Sequence, residues 1–179
     1  MTKRVTIEAL AEWLRERDDV VLIGHLSPDG DAVGSTLGLC RALNRLGKRA
    51  VTCLPGGVPK LYAHLPGADA VIPAGEPLPF EPGTAFSVDV SEYSRMGDAA
   101  CAVFDACPHR AVLDHHATNQ GFGQVMMLDG KAASAGGAGR RAGGGPGRAA
   151  GPGDGGVLLC GDLHRHRPLQ LYQHPAADL

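Results

Sequence analysis

Gly24-His25-Leu26-Ser27-Pro28-Asp29-Gly30-Asp31-Ala32-Val33-Gly34-Ser35 follows a short apolar run, Val20 to Ile23, and opens a helical pattern that extends to Leu46. A strand therefore delivers one imidazole and two carboxylates into a tight turn at the mouth of a helix. Gly30 separates Asp29 from Asp31, and a residue without a side chain lets both carboxylates turn toward one centre. Imidazole plus carboxylates with no thiolate is a ligand set for Mn²⁺ or Mg²⁺, or for Zn²⁺ or Fe²⁺, rather than for a structural zinc cage. The same residues also read as an Asp-Gly turn that caps a helix. Taken alone, the stretch leaves those two readings level.

Composition bounds the rest. A chain of 179 residues holds one domain, or one and a fraction. A formal charge of −2 offers no electrostatic footprint for duplex DNA or an anionic membrane. Five cysteines, Cys40, Cys53, Cys101, Cys107 and Cys160, form no C-x-x-C pair. They sit mostly in apolar runs, which predicts reduced, buried thiols in a cytoplasmic protein. No apolar run approaches the roughly 18 residues of a membrane span, and Met1-Thr2-Lys3-Arg4 leads into an acidic helix rather than a signal-peptide core.

Outward from the quoted stretch, the chain alternates. Ile7, Leu10, Ala11 and Leu14 fall on one helical face, with Thr6 as N-cap and Glu8 in the first turn. Val20 to Ile23 is a continuous apolar strand of the kind covered on both faces. The next helix carries the apolar rows Val33, Leu37, Cys40 and Leu39, Leu43, Leu46, and stops at Gly47. Ala50 to Leu54 is a strand broken by Pro55-Gly56-Gly57. Residues 55 to 83 are rich in Pro and Gly, with Val71-Ile72 a short strand. Thr84 to Val88 is a strand ending in Asp89, a helix spans about Ser94 to Ala106, and Ala111 to Leu113 is a strand ending in Asp114-His115-His116. This order predicts an α/β fold, a doubly wound, mostly parallel sheet with helices on both faces. Ligands bind such sheets beyond the carboxyl ends of the strands. His25, Asp29, Asp31, Asp89, Asp114, His115 and His116 all fall there. Three strands delivering Asp or His to one edge favour a metal or acid–base site over a set of separate caps.

That many O and N ligands exceeds the need of one tetrahedral ion and suits two ions sharing a carboxylate. Paired ions roughly 3.5–4 Å apart activate a bridging water and neutralise the oxygens of an in-line phosphoryl displacement. Asp89, alone on the middle strand, is the natural bridge. Asp114 either joins the chemistry or orients a neighbouring imidazole. His116 is placed to donate to a phosphate oxygen or to the leaving group. Arg95 and Asn119, one turn or loop beyond, are candidate substrate contacts or ordinary surface residues.

His25-x-x-Pro-Asp29-Gly-Asp31-Ala-x-Gly-Ser, a strand ending at Asp89, and Asp114-His115-His116-x-x-Asn119 together resemble the DHH phosphoesterase family. The resemblance spans about residues 5 to 135 and is strongest toward its nanoRNase/pAp phosphatase branch, with the single-strand exonuclease RecJ more distant. Phe122-Gly123 fits the same pattern. The resemblance implies Mn²⁺-dependent phosphoester hydrolysis on a doubly wound domain, with Mg²⁺ as the alternative ion. It assigns His25 and Asp29 to one ion and Asp31 and His115 to the other, with Asp89 bridging. It further implies attack of a bridging hydroxide on phosphorus, short single-stranded oligoribonucleotides or adenosine 3′,5′-bisphosphate as substrates, and compatibility with a homodimer. A pyrophosphatase, exopolyphosphatase or cyclic-dinucleotide phosphodiesterase uses the same kind of site.

The pattern fails after residue 135. Family members carry a further ligand Asp in a Thr-Asp-Thr-Gly-like strand end, then a smaller substrate-binding domain, and neither follows here. Residues 136–156 contain 11 glycines in 21 residues, with Ala, Arg and Pro making up nearly all the rest. That composition does not build a packed helix or strand. Leu163-His164-Arg165-His166-Arg167-Pro168 has no regular period, and its arginines repel cations. GC-rich codons for Gly136 to Gly147, read one nucleotide on, encode ELVAELVEAL, an amphipathic helix. The same shift on Asp162 to His174, with permitted codons, encodes TSTDTGRFSYTNT and so restores the missing motif. The expectation is a phosphoesterase domain over 1–135 and an out-of-frame, unstructured tail over 136–179, with the sheet incomplete at its C-terminal side. Apolar surface beside the third strand is then expected to lie uncovered, and a non-catalytic product is the alternative to an active enzyme. Resequencing the locus checks this: an uninterrupted frame encoding the same tail in close relatives overturns the frameshift.

Overall fold

Residues 1–132, 134 and 135 are described by a computed structural model. In chain order they form β1 (Lys3–Arg4), α1 (Ile7–Arg15), β2 (Val20–Ile23), α2 (Gly30–Arg45), β3 (Ala50–Leu54), β4 (Ile72–Pro73), β5 (Thr84–Val88), α3 (Asp98–Ala106), β6 (His109–Asp114) and β7 (Val125–Leu128). The strands make one sheet in the order β1-β7-β6-β5-β2-β3-β4, and every pairing is parallel. The expected α/β class and doubly wound layout hold, with no antiparallel strand among the described residues.

β2 is apolar throughout because both its faces are covered. Val20 and Leu22 join α1 and the α2 residues Leu39 and Leu43 in one core. Val21 and Ile23 face the other way, against the α3 residues Ala100 and Phe104. Local signals set α1: Thr6 Oγ1 accepts from the Ala9 N–H at 3.3 Å, and Ile7, Leu10, Ala11 and Leu14 are its buried face. Successive strands run outward from β2 through β3 to β4, then resume on its other side from β5 through β6 to β7. The chain thus changes direction between β2 and β5, the place where a crevice opens in such sheets.

Several expectations change. Neither β1 nor β7 is evident from the sequence, because one has two residues and the other, Val-Met-Met-Leu, has neither alternation nor β-branching beyond its first residue. The short strand expected at Val71-Ile72 lies at Ile72–Pro73. The helix expected from Ser94 begins instead at Asp98, after a 3₁₀ turn over Tyr93–Met96. Gly97 separates the two with φ 73° and ψ 157°. The apolar surface expected to be bare beside β6 is covered: Leu113, Val125, Met126 and Met127 are buried, with the α1 face in the same core as Leu113, Val125 and Met127. The expectations for 136–179 lie outside the described residues. Among the described residues no helix is long and apolar enough to cross a membrane.

Gly97 links fold to site. A Cβ there would meet the Leu26 side chain at 3.0–3.3 Å, in a backbone region that only glycine occupies without strain. Gly97→Ala is expected to cost about 2 kcal/mol, read as a lower urea midpoint at unchanged slope. Gly47→Ala, at φ 81° with nothing within 4 Å of the added Cβ, is expected to cost about 1 kcal/mol.

Candidate metal centre

Three loops leave the sheet at the β2–β5 crevice, and each carries ligand-type side chains. After β2, His25 is buried, and its Nδ1 lies 2.8 Å from the Leu26 carbonyl oxygen. That bond assigns the proton to Nδ1 and leaves the Nε2 lone pair pointing at carboxylates. Nε2 is 3.9 Å from Asp29 Oδ1 and 4.0 Å from Asp89 Oδ2. Asp29 is the N-cap of α2, with Oδ1 accepting from the N–H groups of Asp31 at 3.0 Å and Ala32 at 3.1 Å. The capping and ligand readings of this turn are therefore compatible, since the cap holds the carboxylate in place. Asp31, in the first turn, accepts from Ser35 Oγ at 2.8 Å through Oδ1 and from the Ala135 N–H at 2.8 Å through Oδ2.

After β5, Asp89 adopts φ 61° while its N–H still donates to Leu113 O at 3.0 Å. Left-handed backbone is unusual for a residue other than glycine. Its side chain is 2% exposed, and Oδ1 has no hydrogen-bond partner. Burial first, then the neighbouring Asp31 charge, push its pKa up to about 6, with His115 acting in opposition.

After β6, the Asp114 carboxylate is fully buried and fully used. Oδ1 accepts from the His115 N–H at 2.8 Å and from His116 Nδ1 at 2.7 Å, and Oδ2 accepts from Asn119 Nδ2 at 2.7 Å. His115 sets Nδ1 3.3 Å from the Ala132 carbonyl oxygen. Its Nε2 lies 3.3 Å from Asp89 Oδ1 and 3.6 Å from Asp31 Oδ2. His116 is 43% exposed. Partial burial lowers its pKa, but the Asp114 hydrogen bond and the charges of Asp114, Asp89 and Asp31 outweigh this, and the net direction is up.

Two three-residue groups offer ligand atoms within 4.8 Å of one another: His25 with Asp29 and Asp89, and Asp89 with His115 and His116. Asp89 belongs to both. Its bare Oδ1 is the test of fit for a cation, because a buried carboxylate oxygen without a donor is costly unless a positive charge meets it. Hard oxygen and imidazole donors in this mixture suit Mn²⁺ or Mg²⁺.

The structure does not bring every candidate to the centre. Asn119, read as a candidate substrate contact or an ordinary surface residue, is fully buried, donating to Val90 O and Asp114 and accepting from the Gly121 N–H. All its amide groups bond protein, so it pins the loop. Arg95 is exposed, and its carbonyl accepts from the Leu26 N–H at 2.7 Å, which sets it beside the His25 loop. Three contributors escape the sequence reading. Ser35 was legible in principle, one helical turn beyond Asp31; the main-chain groups of Ala132 and Ala135 carry no sequence signal at all.

The N-terminal domain of the DHH family matches residues 19–139. The bifunctional oligoribonuclease and PAP phosphatase NrnA of Thermus thermophilus is 37% identical over 129 residues, which is 70% of this chain and 37% of that protein. The chain thus spans little more than a third of that relative's length. The crystal structure of an exopolyphosphatase-related protein from Bacteroides fragilis superposes with a TM-score of 0.65 at 24% identity, over 73% of this chain and 40% of that one, a likeness of fold. With the family's N-terminal domain matched over residues 19–139, well over half of this chain, and Asp89 shared between two ligand groups at the crevice, the chain belongs to the DHH family.

Proposed function

We propose that this domain is the metal-binding half of a phosphoesterase that hydrolyses short oligoribonucleotides or adenosine 3′,5′-bisphosphate with two Mn²⁺ ions, Mg²⁺ serving as the alternative. The observation that carries the reading is the buried, unpartnered Asp89 oxygen between two ligand groups, and the Thermus relative, a bifunctional oligoribonuclease and PAP phosphatase, supports the substrate class. By the family resemblance His25 and Asp29 would hold one ion and Asp31 and His115 the other, with Asp89 shared between them. Bound there, the ions neutralise phosphoryl charge and acidify a water molecule. The chain's own groups do the rest. Asp114 fixes His116 at Nδ1, and the raised affinity of that imidazole for its proton leaves Nε2–H available to the leaving oxygen. Asp114 is thus a positioning residue for His116 rather than a ligand. Arg95, exposed beside the His25 loop, meets a substrate phosphate. Pyrophosphate, polyphosphate and cyclic dinucleotides are the alternative substrates on the same site. Four unpaired cysteines among the described residues, Cys40, Cys53, Cys101 and Cys107, accord with a cytoplasmic setting, and a homodimer belongs to the same proposal.

The second reading, a non-catalytic product of a shifted frame, rests on the family match stopping at residue 139, next to the composition change at Gly136. A paired assay decides between them. Mn²⁺-dependent release of mononucleotide or phosphate is measured for this chain and for a version whose tail is read one nucleotide on. Activity in the second alone supports the shifted frame. In whichever form is active, Asp89→Ala is expected to lower kcat/KM roughly a thousandfold; full activity in that variant removes the two-ion assignment.

The ion-free protein also has a predicted pH dependence. Asp89 holds its proton more tightly folded than unfolded, so unfolding releases that proton between about pH 4 and pH 6. Stability is expected to fall by about 3 kcal/mol across that window and then level, apart from a further loss as His116 deprotonates. Asp89→Asn is expected to flatten the fall. Thermal unfolding with chelator, across pH, measures both. Adding Mn²⁺ reverses the slope, because ligands bind deprotonated.

A further inference from the structure

The rim of the centre is uneven. On the β3–β4 side, the 3₁₀ turn Lys60–Tyr62 packs over the start of α2. Tyr62 ring atoms and hydroxyl come within 3.4–3.6 Å of the point a Gly30 Cβ would occupy. The ring therefore lies against the backbone between Asp29 and Asp31. One part of it packs with Val33, Leu37, Leu54 and Ala68, yet the residue is only half-buried and its hydroxyl has no hydrogen-bond partner among the described residues. Its neighbours on the turn are open: Leu61 is 72% exposed and Lys60 is exposed. On the opposite flank stand Leu26, 46% exposed, and the exposed Arg95. Leu26 offers an apolar contact but no π face.

A cation centre by itself accepts any phosphate. An aromatic ring beside it adds a preference, because a nucleobase stacked on an aromatic side chain gains roughly 1–3 kcal/mol without regard to sequence. We propose that Tyr62 is a nucleobase platform, a specificity residue that favours nucleoside-bearing phosphates over bare phosphate or polyphosphate chains. The proposal rests on the phosphoesterase reading above, and within that reading it selects the nucleotide substrates.

The test uses the full chain loaded with Mn²⁺ and two ligands that differ only in the base, adenosine 5′-monophosphate and ribose 5-phosphate, titrated by calorimetry. The expected result is roughly tenfold tighter binding of the nucleotide. Tyr62→Phe retains that preference, and Tyr62→Leu, which keeps the packing but not the π face, loses it while ribose 5-phosphate and Mn²⁺ bind as before. An equal loss of both ligands in Tyr62→Leu marks a merely structural tyrosine and overturns the proposal, as does an unchanged preference. A wild-type chain that binds Mn²⁺ and ribose 5-phosphate with no preference for the nucleotide removes the platform alone. A wild-type chain that binds neither ion nor ligand removes the phosphoesterase reading and the platform with it.

Discussion

A carboxylate taken out of water at the end of a central strand is the constraint around which this domain is arranged. Asp89 is 2% exposed and one of its oxygens has no donor. An uncompensated buried charge costs several kcal/mol, and among the surrounding groups His115 and His116 offset part of what burial imposes. His25 and His115 bring imidazole nitrogens to within 4.0 and 3.3 Å, and each turns its other nitrogen toward a carbonyl oxygen that fixes the ring. Asp29 and Asp31 act in the opposite sense, raising the proton affinity of Asp89. The balance leaves the Asp89 carboxyl with a raised proton affinity.

The sheet makes that cluster rigid. β2, β5 and β6 are hydrogen-bonded neighbours near the middle of the sheet, so the residues that follow them are held in fixed register. Asp114 then extends the order beyond the strand end. Its two oxygens gather His115, His116 and Asn119 into one network, and Asn119 ties the network to Val90 beyond Asp89. The loop after β6 is thereby fastened to the loop after β5. Backbone strain at Asp89 is tolerated because the Leu113 carbonyl still receives its N–H.

Legibility was high where the governing forces were local. Helix α1, strands β2, β3 and β5, and the grouping of seven Asp and His residues at one edge follow from apolar periodicity and from chemistry carried on strand ends. It was low where partners are distant in the chain. β7 forms because β6 and β1 flank it and α1 covers it, not because Val-Met-Met-Leu prefers a strand. Asn119 follows a histidine-rich motif and looks like a substrate contact, yet burial and three hydrogen bonds absorb it. Gly97 reads as an ordinary helical position until its positive φ and the packed Leu26 are seen.

The sequence by itself therefore determined the class of fold, the ligand types and the edge of the sheet where they meet, since these depend on short-range pattern and residue chemistry. Only the tertiary structure decided which oxygen of which carboxylate is left without a donor, which histidine is held by Asp114, and which aromatic ring stands beside the first motif. Those outcomes depend on burial and on contacts between residues far apart in the chain, such as the bond between Asp31 and the Ala135 N–H, 104 positions away. No local pattern encodes a distance of that kind.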